Sequence, residues 1–288
     1  MGRFRFGPLG RLMVVDSPRD GFAAPVDTIG ALHESLNATR TKDVFGYKST
    51  YKIPLEGLDP RALSWFEMAY RGALGNPLYF LDEQRVNWLS PAVSSALSAW
   101  AETDPFVHLN GVHTVVANTF PLLPDAEDGG ALLTPGPTSA LSWTNTATGN
   151  IIRCGPMIPV TPGEDMSYSV YVLSTTGGTP TLEFTPFDSA GVALGQLPGA
   201  SDTQVTAGSP PRYWIPYIAN PGVAAVQPCI RHAVPQTSVL TGFQLEKSLT
   251  PTPWVLGQQP ARVLVDDLPL DRRFIGNYMN AVITLLEV

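Results

Sequence analysis

The chain has 288 residues, of which 44% are apolar and 15% charged, with 26 glycines and 28 prolines. An average globular chain has about 25% charged residues, so this one can bury a core and is not disordered, while its glycine and proline content excludes an architecture of long helices. The net charge of −7 argues against nucleic acid as a partner, because neutralising phosphates takes a basic face.

At one domain per ~150 residues the length suggests two domains, and the charge shows where they divide. Residues 101–257 hold eleven acidic and four basic residues and so carry the whole net charge; the two flanks are balanced. Two abrupt changes in composition imply a domain inserted into another. The expected boundaries are 1–97 with 258–288 for the outer domain and 98–257 for the insert.

The outer domain opens on Arg3-Phe4-Arg5-Phe6, which alternates as a half-buried strand does, and Leu12-Met13-Val14-Val15 reads as a second strand. Arg3, Arg5, Arg11 and Asp16 leave no secretory apolar core, and no run of about 18 apolar residues exists for a membrane span. Folding in a cytoplasm without membrane insertion is the expectation. A Pro/Gly/Asp-rich loop follows, then Ile29 to Asn37, of open type, and Lys48 to Leu55, which alternates again.

Asp59 to Gly75 has the clearest helical signals. Asp59 can accept hydrogen bonds as N-cap, and Pro60 fits the first helical position. Leu63, Phe66, Tyr70 and Leu74 make an apolar stripe, and Gly75 before Pro77 suits a left-handed C-terminal stop. Leu78 to Leu81 reads as a buried strand.

The middle segment shows no helical period. It has eight candidate strands: 114–120, 139–143, 150–154, 166–173, 181–187, 212–218, 224–231 and 241–246. Turn signals such as Pro162-Gly163-Glu164-Asp165, Asp188-Ser189-Ala190-Gly191 and Asn220-Pro221-Gly222 separate them, which suggests an antiparallel sandwich or jelly roll. Met166, Tyr168, Val170 and Val172 should face inward and Ser167 and Ser169 outward. Past the middle, Arg262 to Val265 and Ala281 to Val288 are two more strands. A strand at the chain end needs a sheet partner or it frays, and strands of the first third are the economical partners. The fold class is therefore mainly β, a discontinuous barrel- or sandwich-like domain with one helix near 59–75, carrying an inserted β-sandwich.

No motif for a catalytic site stands out: HExxH, GxSxG, a phosphate loop and a dinucleotide fingerprint are all missing. His33, His108, His113 and His232 lack ligand-like spacing, and His108 and His113 are expected in surface or packing roles rather than at a metal. Asp125, Glu127 and Asp128 read as a solvated acidic turn, and the pairs Glu164-Asp165 and Asp266-Asp267 sit beside turn residues, which explains them without a glycosidase role. Cys154 and Cys229 are expected as buried free thiols. Trp143, Tyr171 and Trp214 are the candidate sugar-stacking residues, although rings on strands more often pack in cores. No enzyme, cofactor or metal is expected.

Several segments, taken in order, carry a resemblance. Leu58-Asp59-Pro60-Arg61-Ala62-Leu63, Gly75-Asn76-Pro77-Leu78-Tyr79-Phe80-Leu81-Asp82 and Asn87-Trp88-Leu89-Ser90-Pro91 resemble the hub domain of siphophage distal-tail (tail-tip) proteins, of the type from phages of actinobacteria. Val160 to Gly163 leading into Tyr168 to Val172, Phe187 to Gly191, Arg212-Tyr213-Trp214, Pro221 to Ala224, and Gly242-Phe243-Gln244-Leu245-Glu246-Lys247 followed by Thr250-Pro251-Thr252-Pro253-Trp254 are similar to the carbohydrate-binding-module-like jelly rolls that such proteins carry. Leu285 to Val288 resembles the hub's last strand. Trp214 departs from the usual pattern by following Arg212 rather than preceding it. The resemblance implies a structural component of the virion tail, assembled in the host cytoplasm. It further implies a hexameric ring joining the tail tube to other tail-tip proteins at the baseplate, and a module that faces host-surface glycan.

Overall fold

The computed structural model describes residues 3–16, 26–34, 40–97, 104–108, 110–120, 122–124, 133–195, 203–206, 208–275 and 278–288. It is mainly β, with antiparallel sheets, and divides into two compact units: Met1–Gln84 with Ala261–Val288, and Arg85–Pro260. Among the described residues no helix is long and apolar enough to cross a membrane. His33 belongs to a strand whose side chains lie outside the described set, and Asp125, Glu127 and Asp128 lie outside the described residues.

The first unit begins with β1 (Arg3–Gly7), β2 (Met13–Asp16), β3 (Val26–Glu34) and β4 (Arg40–Leu58). β4 buries Tyr51, Ile53 and Leu55 and leaves Lys48 and Lys52 exposed, which is the alternation read in the sequence. Helix α1 spans Pro60–Tyr70, and Asp59 caps it through a 2.7 Å bond from the Ala62 amide. The helix stops about one turn before Gly75. Gly72 takes the left-handed C′ position (φ +72°), its amide donates to Ala69 O and that of Ala73 to Met68 O, a Schellman closure. The buried stripe is accordingly Leu63, Phe66 and Ala69, and Tyr70 faces solvent. Phe66 stacks on Phe6 at 5.5 Å, seating α1 on the sheet. β5 (Leu78–Asp82) follows and pairs with β1.

In the second unit α2 (Pro91–Ser94) is a single turn capped by Ser90. The strands are β6 (Phe106–His108), β7 (Val112–Ala117), β8 (Leu122–Pro124), β9 (Leu133–Pro135), β10 (Ser139–Asn145), β11 (Asn150–Cys154), β12 (Ile158–Pro159), β13 (Asp165–Thr176), β14 (Thr181–Phe187), β15 (Gln204–Val205), β16 (Arg212–Ile218), β17 (Ala225–His232) and β18 (Gln236–Glu246). One sheet runs β15-β16-β13-β18-β10-β7. A second runs β12-β17-β11-β6, with β14 also on β17, and β8 and β9 pair apart. Between the two large sheets lie Leu141, Trp143, Ile152, Tyr168, Val170, Leu182, Phe184, Ile230, Leu240 and Phe243, all buried.

The chain returns to the first unit as β19 (Ala261–Asp267), β20 (Leu270–Ile275) and β21 (Tyr278–Glu287). β21 lies between β19 and β4, with Val282 opposite Pro54, Ile283 opposite Ile53 and Leu285 opposite Tyr51. The resulting sheet is ordered β2-β1-β5-β19-β21-β4-β3, with β20 also on β21. Residues 85–97, assigned by composition to the outer domain, lie instead in the second unit. There the Trp88 amide donates to Leu245 O at 2.8 Å, and Asn87 donates to Phe243 O at 3.0 Å and to Val255 O at 2.9 Å.

Candidate functional site

The outer face of the six-stranded sheet is where sugar-stacking residues would have to stand. Register places Ser167, Ser169 and Tyr171 of β13 beside Pro216, Trp214 and Arg212 of β16, and beside Glu246, Gln244 and Thr241 of β18. Directly opposed residues share a face, so these nine side chains form one surface. The expected outward serines are nevertheless buried, as are Tyr171, Arg212, Thr241, Gln244 and Glu246.

The cover is the return segment 250–257, a strap held by polar side chains. Glu246 accepts from the Thr252 amide (2.9 Å) and hydroxyl (2.6 Å). Gln244 accepts from the Val255 amide at 3.0 Å. Arg212 donates through Nη1 to Thr252 O at 2.6 Å and through Nη2 to Ser169 Oγ at 2.8 Å, and its guanidinium lies 5.1 Å from the Tyr171 ring centre. Burial pushes the Glu246 carboxyl up, against the opposing pull of its bonds to Thr252 and Gln244 and of Arg212. Farther along, the Gly257 amide donates to Ser94 Oγ at 2.8 Å. Gly242, with φ +59°, lies where a Cβ would strike Leu123 and Tyr171 at 2.9 Å, so the strand can pass under this cover only without a side chain. The Gly242 to Trp254 motif therefore encodes a buried polar lock.

The three candidate residues separate. Trp143 points inward and stacks on His232 with ring centres 3.8 Å apart, fully buried. Tyr171 is on the outer face but covered, its hydroxyl donating to Pro124 O at 2.6 Å. Neither presents a ring face to a sugar, because each fills a packing position that strand alternation alone does not distinguish from a surface one. Trp214, half-buried on the outer face opposite Ser169 and Gln204, keeps access to solvent.

Other titratable groups are placed for packing. His232 bonds Ser238 Oγ through Nε2 at 3.0 Å, and burial pushes its pKa down to about 4. Cys154 and Cys229 are buried and free; burial pushes both thiols up, Cys229 to about 11, so neither is a ready thiolate. Glu164 accepts from the Thr161 amide at 2.9 Å, which closes the Thr-Pro-Gly-Glu turn.

One cluster was only half visible in the sequence. His108 Nε2 lies 2.9 Å from His113 Nδ1, and His113 Nε2 lies 2.5 Å from Asp104 Oδ2. Asp104 also accepts from the Phe106 amide at 2.9 Å through its other oxygen. The five-residue histidine spacing suggested no pairing, since it takes the turn between β6 and β7 to bring the rings together. Among the described residues no group of three His, Cys, Asp or Glu side chains converges on a metal position.

No protein-family model matches the chain, and no curated protein matches it. Among solved structures it is similar to the enzymatically active domain of bacteriophage CBA120 tailspike protein 4, at 11% identity and TM-score 0.36 over 56% of this chain. That alignment spans only 21% of the tailspike chain. It is also similar to the CBM22-1 xylan-binding domain of Paenibacillus barcinonensis Xyn10C, at 14% identity and TM-score 0.32 over 54% of this chain and 92% of that one. A carbohydrate-binding module of the β-sandwich superfamily aligns at 11% identity and TM-score 0.30 over 85% of this chain and 96% of that one. All three TM-scores lie well below 0.5, so the chain's own strands and register define its fold.

Proposed function

We propose that the chain is a non-enzymatic structural protein of a phage tail tip, whose discontinuous unit associates into a hexameric ring. The observation that supports this is the open sheet of that unit. Among the described residues its order ends in β2 and β3, two strand edges open to neighbouring copies, and residues 40–49 of β4 pair along the backbone with β3 beyond the stretch that pairs with β21. A two-stranded ribbon is marginal by itself in water, and an exposed strand edge is a template for pairing with another copy. Such a ring would join the tail tube to other tail-tip proteins. Native mass spectrometry with electron microscopy of the full chain tests this: a closed six-copy ring is expected, and a monomer at every concentration overturns it.

A second reading, in which the inserted sandwich binds host-surface glycan, rests on Trp214, the candidate ring that keeps solvent access. Calorimetric titration of the full chain with actinobacterial wall polysaccharide should give heat that Trp214→Ala removes. No heat from the unaltered chain leaves the sandwich a purely architectural role.

A further inference from the structure

The Asp104–His113–His108 cluster occupies a mechanical position. His108 is on β6, the edge of one sheet, and His113 on β7, the edge of the other, so their bond ties the two sheets together at the open side of the sandwich. Among the described residues β7 has little else to hold it: Val112, Val115 and Val116 are 64%, 47% and 36% exposed, and its backbone partner is β10. Both rings lie on the inner side, His108 opposite Ile152 and His113 opposite Trp143, with Phe106 edge-on to His113 at 6.0 Å.

Donor and acceptor counting fixes what this chain can carry. The Asp104 carboxylate accepts, so His113 Nε2 carries a proton; a neutral His113 then offers Nδ1 as acceptor to His108 Nε2–H. One added proton fits. Taken up at His108 Nδ1, it lets the Nε2 proton cross to His113 Nδ1, leaving an imidazolium between a carboxylate and a neutral ring. A second proton does not fit, because two N–H groups would then face each other across 2.9 Å.

We propose that this chain is an acid latch: it holds β6 to β7 while carrying at most one extra proton and releases that edge when both imidazoles are charged. Among the described residues the other charged groups nearby do not change the count. Arg153 on β11 is opposite Val107, on the far face of its sheet, and His232 is behind Trp143, stacked on its ring. β10 presents only Trp143, Ser142 and Thr144 to β7 around His113. Burial, and then His113, hold His108 below the usual imidazole range against the opposing pull of Asp104. The latch does not depend on the ring reading.

The test is long-range 15N–1H spectroscopy of the histidines with amide hydrogen exchange on the full chain, from pH 8 to 4.5. At pH 8 both rings should be Nε2–H tautomers. On acidification the intrinsic-rate-corrected protection of residues 112–117 should fall at least ~10-fold more than that of β17 and β18. In His108→Phe, which cannot make the bond, protection of 112–117 should already be low at pH 8 and change little with pH. Independent titration of His108 and His113 with no selective loss at β7, or unchanged β7 protection in His108→Phe, overturns the proposal. Loss spread evenly over the sandwich also overturns it, since global acid unfolding would then account for the change.

Discussion

The two units solve the problem of a sheet's second face in opposite ways. In the first, α1 and the buried side of the sheet form one apolar core around Phe6, Phe66, Ile53 and Ile283, while the other face carries the exposed pair Leu264 and Leu286 with Val282. In the second, the part of the six-stranded sheet's outer face around β13 and β18 is polar yet covered, with Arg212, Gln244 and Glu246 locked beneath a strap. The open face leaves apolar side chains in contact with water, which is the surface the proposed ring would use. The sealed face suits a self-contained module, in which every charge taken from water needs a bonded partner.

The largest expected break in this contrast is Arg212→Ala, which would leave Glu246 buried without its guanidinium. It should cost ~3–5 kcal/mol, lowering the denaturant midpoint of the second unit alone. Phe66→Ala should cost about as much, ~3–5 kcal/mol, in the first unit alone. If both variants shift a single shared transition, the units are not thermodynamically separate.

Acid should act next, and on the second unit. His232 is pushed down to about 4 by burial, so folding favours its neutral form. The unfolded chain binds the proton first, near pH 6.5. Stability is therefore full above about pH 6.5 and falls as pH drops toward 4, by about 3 kcal/mol in all. His232→Phe, which keeps a ring against Trp143, should flatten that slope in a pH series of denaturation curves.

Removing the N-cap with Asp59→Ala should cost about 1 kcal/mol in the first unit. Leu264→Asp should be the mildest change for folding, within about 0.5 kcal/mol because the site is exposed, yet it should impair ring formation if that face joins copies. Comparing its thermal midpoint with its native mass spectrum separates the two effects.

Much of the fold was legible because strand alternation and turn residues are local properties. β11, β14 and β16 coincide with their sequence readings, and Asp59 caps α1 as its side chain dictates. The helix end was misplaced because Gly72 and Gly75 both accept a positive φ, and only the bonds to Met68 and Ala69 choose between them. Burial of Trp143 and Tyr171 was not legible for a different reason. Alternation says which residues share a face of a strand but not what covers that face, and here the cover is His232 of the opposite sheet for Trp143 and Pro124 for Tyr171, both far away in sequence.

A β-rich chain with a charge-distinct middle, one capped helix and most strand positions follow from local chemistry, because propensity, capping and turn formation act over a few residues. It takes the folded chain to show that β21 lies between β4 and β19, that Gln244 and Glu246 clamp the strap, and that His108, His113 and Asp104 form one hydrogen-bonded chain. Only the first joins distant stretches of the chain; the other two lie within a dozen residues, yet it takes the path of the backbone between their elements to bring those side chains together, and that path is set by register and packing rather than by alternation.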